Sequence, residues 1–108
     1  MTRFMIPLLL ALVVGSPAWG NERGNFLYAQ CNGADAGGEP FCVGFISGVI
    51  DTVEMAMDVK PYCVRGTGAT RGQLLDVFRK YLQENPQTRH ESAAMILVLA
   101  LKQAFPCK

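Results

Sequence analysis

Three carboxylates, Asp51, Glu54 and Asp58, recur at spacings of three and four, which on a helix puts all of them on one side. Such a row could hold a metal ion or work as an acid/base pair. No histidine shares that side, however, and the row reads better as a polar face paired with Arg or Lys from a neighbouring helix. His90, the one histidine, could serve as a base, yet no free thiol or activated serine stands ready for it. Ser47 and Ser92 occupy no nucleophile-elbow context, so His90 is read as a surface or capping residue. The stretch Gly66-Thr67-Gly68-Ala69-Thr70-Arg71-Gly72 opens onto a helix start, as phosphate loops do. It lacks the preceding strand and the Gly-Lys-Ser/Thr ending, and is read as a loop and cap. Neither a metal set nor a cofactor site is legible, and the profile points to a domain that acts by binding.

The cysteines carry a different chemistry. Residues Met1 to Gly20 have the order of a secretory signal peptide, with Arg3, an apolar run from Phe4 to Val14, and the small residues Ala18 and Gly20 before an expected cut at Asn21. The apolar run is well short of the ~18 residues that span a bilayer. The chain of 108 residues is 50% hydrophobic and 18% charged, room for one domain, here 21–108. Its formal charge of +1 offers no surface for nucleic-acid phosphates or anionic lipid. A core this small is marginal and benefits from cross-links. All four cysteines, Cys31, Cys42, Cys63 and Cys107, lie beyond the signal, an even number in an exported chain, which predicts two disulfides.

Helices must position these cysteines. Gly24 to Asn32 forms a short first segment, closed by the glycine-rich loop Gly33 to Pro40. From Phe41 to about Val59, Cys42, Ile46, Val49, Val53 and Met57 recur at the helical period. Thr70 and Gln73 predict a capping box for a third helix with Leu74, Phe78 and Tyr81 or Leu82 inside. Asn85 and Pro86 stop that helix and are expected to begin a fourth, running to Phe105. Because the fourth is apolar on nearly every side, it is expected at the centre of an all-α bundle. Cys42 and Cys63 bracket one helix and would stand roughly 30 Å apart, beyond bridging distance. In an up-down-up-down order, Cys31 then pairs with Cys42, and Cys63 with Cys107. Gly44 and Gly48, one turn apart on the second helix, would let another helix approach, either within the chain or across a dimer seam.

These residues resemble a known family. Gly24-Asn25-Phe26-Leu27-Tyr28 followed by Cys31, then Cys42-Val43-Gly44-Phe45-Ile46-Ser47-Gly48-Val49 with Asp51, are similar to the opening half of the Rap/Tai immunity proteins of type VI secretion. Thr70, Gly72-Gln73-Leu74, Tyr81-Leu82, Pro86, His90, Ser92-Ala93-Ala94, Ala100-Leu101 and Phe105-Pro106-Cys107 are similar to its second half. The segment Val64 to Ala69 departs from the pattern in having no proline. The resemblance implies a periplasmic, non-enzymatic inhibitor that binds a peptidoglycan amidase effector and occludes its Cys-His active site, often as a homodimer. An acid-stress periplasmic chaperone of the Hde type is the alternative. It should open with pH, whereas two disulfides would hold this bundle shut. Loops on a fixed scaffold carry binding residues, so an effector is expected to meet Arg65 and Arg71 in one connection, and Gln87, Arg89 and His90 in the next.

Overall fold

The structure is a computed structural model that describes residues 22–108; the expected signal peptide lies outside the described residues. Those residues form an all-α bundle of four helices: α1 (Gly24–Cys31), α2 (Gly38–Ala56), α3 (Arg71–Glu84) and α4 (Ala93–Ala104). Both bridges pair as expected, Cys31 with Cys42 and Cys63 with Cys107, at Cα separations of 5.1 and 5.0 Å.

Local chemistry explains each boundary. α2 starts three residues before Phe41 because Pro40 lies in its first turn, where a helix needs no amide donor. It ends before its apolar pattern does. Lys60 turns back and its Nζ donates to the carbonyls of Glu54, at 2.8 Å, and of Met57, closing the helix C-terminus with positive charge. The capping box of α3 forms as predicted: Gln73 N–H donates to Thr70 Oγ1 at 3.2 Å, and Gln73 Oε1 accepts from Thr70 N–H at 2.8 Å.

Two expectations about the last helix need correction. It does not begin at Asn85 and Pro86. Pro86–Thr88 is a separate 3₁₀ turn, and the chain then leaves the helical path because its backbone serves α1 instead. Arg89 C=O accepts from Asn25 N–H at 2.7 Å, Glu91 C=O accepts from Gly24 N–H at 2.9 Å, and Ala93 N–H donates to Glu22 C=O at 2.8 Å. Gly24 suits this crossing because a Cβ there would lie 2.7 Å from the Arg89 carbonyl oxygen. Nor is α4 central. α3 packs against α1, α2 and α4, and its Leu74, Leu75, Phe78 and Leu82 are buried. α4 buries Ala93, Ile96, Leu97, Ala100 and Leu101, but leaves Met95 and Leu99 exposed. Its all-round apolarity reflects an unpartnered outer side rather than a central place.

Arg79 was not singled out by sequence, yet it ties three helices together. Its Nε donates to the Cys31 carbonyl, an orphan acceptor at the end of α1, at 2.5 Å. Its Nη2 lies 3.4 Å from Glu39 at the start of α2.

Candidate functional site

α2 and α4 lean on the rest of the bundle without closing on one another, and a groove of about 690 Å³ runs between them. Phe45, Val49 and Val53 form one wall, and Ala94, Met95 and Val98 the other. Phe45 is braced from behind by Phe78 of α3, the rings stacked at 6.2 Å. Gly44 and Gly48 flatten the α2 wall. A Cβ at either glycine would meet nothing within 4 Å. Close packing inside the chain, one of the two readings of these glycines, therefore does not occur among the described residues, and the strip faces outward. Beside the groove stands a second exposed apolar feature, Phe26 of α1 edge-on to Phe41 of α2 at 5.6 Å. Apolar side chains gathered in an exposed groove make this face the candidate interaction surface. The sequence signal for it was the apolar outer side of α4, which a central placement had absorbed.

The two loop sites lie at opposite ends of α3. Arg65 precedes its start and Arg71, expected in the connection, is its first residue, whereas Gln87, Arg89 and His90 follow its end, about 20 Å away by helical rise. They do not form one patch. Arg65 is 87% exposed and reaches Glu54 at 3.9 Å. Arg71 and Gln87 are also exposed, with Arg71 beside Glu39, Val43 and Ser47. His90 is exposed, and its carbonyl accepts from Arg23 Nη1 at 2.9 Å.

Arg89 differs from the others because its guanidinium is already engaged. Nε donates to Leu82 C=O at 2.6 Å and Nη2 to Gln83 C=O at 3.3 Å, while the group lies 3.8 Å over the Tyr28 ring. This closes the C-terminus of α3 with a cation, where the helix dipole favours one. Replacing Arg89 by alanine is expected to cost about 2 kcal/mol, from charged hydrogen bonds and the cation–π contact together. Arg71→Ala should stay within about 0.5 kcal/mol of the parent, as an exposed substitution does. Thermal melts of the two single variants check this contrast; equal midpoints would show that Arg89 has no such structural role.

The carboxylate row resolves into one paired residue and two solvated ones. Glu54 lies 3.9 Å from both Lys60 and Arg65, so its partners come from the connection after α2 rather than from a neighbouring helix. Asp51 and Asp58 are exposed. Among the described residues, no cluster of His, Cys, Asp and Glu could hold a metal ion. In the same connection, Tyr62 is fully buried and its hydroxyl makes no hydrogen bond to the protein. Burial, with the Glu54 charge adding to it, raises the phenol above its usual range and keeps it neutral.

The profile of the Rap1a immunity proteins matches residues 23–107, which takes in all four helices and both bridges. The chain belongs to the Rap1a immunity protein family. No curated protein and no solved structure matches it significantly. Membership in the Rap1a family implies an immunity function against a secreted effector, which the protein would bind. The two disulfides are compatible with an extracytoplasmic Rap1a protein.

Proposed function

We propose that this protein is a periplasmic immunity protein that binds and inhibits a type VI secretion peptidoglycan amidase, sparing the cell wall from an effector delivered by a neighbour. What carries the reading is the family match over residues 23–107 on a chain whose opening 20 residues have the order of a secretory signal. A periplasmic inhibitor must stay folded outside the cytosol. Two disulfides across a small core suit that requirement. The effector would meet a loop site. Arg65 and Arg71 offer guanidinium forks to polar groups lining an enzyme cleft. At the other end of α3, Gln87 and His90 would make the direct contact, with Arg89 holding the turn that presents them.

The groove between α2 and α4 is the proposed dimer seam. The same face carries both a recess, at Gly44 and Gly48, and protruding apolar side chains, Met95 and Leu99, which is what a self-complementary two-fold contact needs. Since the space above Gly48 is open, Gly48→Trp should leave the thermal midpoint of the fold in place while abolishing the dimer. Light scattering at high concentration should give the dimer mass for the parent and the monomer mass for the variant. A parent that is monomeric throughout would remove the dimer from the proposal.

The inhibitory reading is tested on the enzyme itself. The mature chain, used as bait on the fluid secreted by its own cells, should retain an amidase. Purified, that amidase should cease to cleave peptidoglycan sacculi once the bait is equimolar. An amidase that is retained and remains fully active at excess bait would contradict inhibition. Retention of a secreted protein with no action on peptidoglycan would contradict the amidase.

A further inference from the structure

The two disulfides occupy opposite environments. Cys31 and Cys42 are both 0% exposed, whereas Cys63 and Cys107 are both exposed. A thiolate must reach a sulfur to cleave a bridge, so accessibility separates the two kinetically.

What the exposed bridge holds in place also sets it apart. Residues 57–70 contain no helix or strand, and turn through Gly66 and Gly68, whose φ angles of 83° and 74° favour glycine. Cys63 fastens this segment to the end of the chain. Its N–H donates to Phe105 C=O at 2.8 Å, and Cys107 Sγ lies 3.8 Å from the Lys60 carbonyl. The neighbouring residue, Tyr62, heads the fully buried side chains by volume, and its hydroxyl has no protein partner. Burying the ring favours the closed segment, and leaving the hydroxyl unbonded opposes it. Val64 and Ala69 pack at the edge of the core beside it, and the covalent tether adds to these contacts by keeping the segment's two attachment points together.

We propose that Cys63–Cys107 is a redox-addressable latch: a dithiol reductant opens it while Cys31–Cys42 stays closed, and opening releases Tyr62 and residues 57–70 from an otherwise folded bundle. One thiolate of the dithiol attacks an exposed Sγ of the bridge, forming a mixed disulfide and expelling the other cysteine as a thiolate, which takes up a proton. The second thiol of the reductant then attacks the mixed disulfide as its thiolate. It forms the reductant's internal disulfide and expels the remaining protein thiolate, which is protonated in turn. Two electrons and two protons pass to the protein. Tyr62 can then turn its hydroxyl to water. Arg65 travels with the same segment, so a latch here would also govern one of the two proposed effector contacts, although the latch does not depend on that role.

The test uses dithiothreitol as the dithiol. The native protein is treated with graded concentrations, alkylated and mapped by mass spectrometry. Cys63 and Cys107 should become labelled together, at least about tenfold faster than Cys31 and Cys42, as expected for an exposed bridge beside a buried one. Equal rates, or earlier labelling of Cys31 and Cys42, would overturn the latch. Hydrogen exchange then reads the release. In the Cys63→Ser, Cys107→Ser variant, amides of 57–70 should exchange freely while those of α3 and α4 keep their protection. Unchanged protection of 57–70, or loss of protection throughout, would each overturn it. Adding Tyr62→Phe to that variant should slow exchange in the segment about fivefold, because the unbonded hydroxyl no longer favours opening; unchanged or faster exchange would contradict the role given to Tyr62.

Discussion

Replacing Cys31 and Cys42 together by alanine is expected to lower stability by roughly 3 kcal/mol through the unfolded chain's regained freedom, with a further loss from the space left by two buried sulfurs. The reason lies in α1. At eight residues it is too short to persist in isolation, and the bridge fixes its end to the first turns of α2 at a Cα separation of 5.1 Å. Without the bridge, α1 is held by Leu27, the Arg79 hydrogen bond, Arg89 over the Tyr28 ring, the Phe26–Phe41 contact and the backbone pairing to residues 89–93. Circular dichroism melts should show the midpoint falling by more than about 10 °C for a domain of this length. A fall of only a few degrees would mean that α1 is held by those other contacts.

Phe78→Ala is expected to cost about 3–5 kcal/mol, the usual range for emptying a buried aromatic site. Phe78 is fully buried on α3, which packs against α1, α2 and α4, and its ring backs Phe45 in the wall of the groove. The variant should therefore lose stability and reshape the groove together. Urea unfolding measures the first effect, and light scattering reads the second as a weakening of the proposed dimer. Phe78→Leu keeps most of the volume and should retain more than half of the lost stability. A cost near 1 kcal/mol for Phe78→Ala would place the centre of the core elsewhere.

Much of this architecture was legible in the residues. The apolar spacing of α2 and α3 and the Thr70 and Gln73 capping box follow from rules that act over a few residues, and the pairing of four cysteines from helix length together with an up-down-up-down order. What escaped depends on which groups the folded chain brings together, near or far in sequence. Lys60 ends α2 early by reaching back to carbonyls that its position in the sequence does not advertise. The break between Pro86 and Ala93 exists because residues 89–93 pair with Glu22, Gly24 and Asn25, some 65 residues earlier in the chain. Composition places α4 at the centre because an apolar helix is usually enclosed, and a helix that leaves Met95 and Leu99 exposed has the same composition. Among the residues proposed to meet an effector, Arg65, Gln87 and His90 lie exposed in connections, whereas Arg71, expected in a connection, is the exposed first residue of α3. The internal engagement of Arg89 could not be read without knowing that Tyr28 and the end of α3 meet there.

Protection against a neighbour's effector is measured in competition between sister cells. Cells lacking this gene, grown in contact with their wild-type siblings, should lyse and release peptidoglycan fragments cut at the amide bond. The intact gene supplied back should restore survival, whereas a copy without its first 20 residues should not. Equal survival of deletion and parent strains in contact, with the siblings' secretion system active, would contradict an immunity function for this protein.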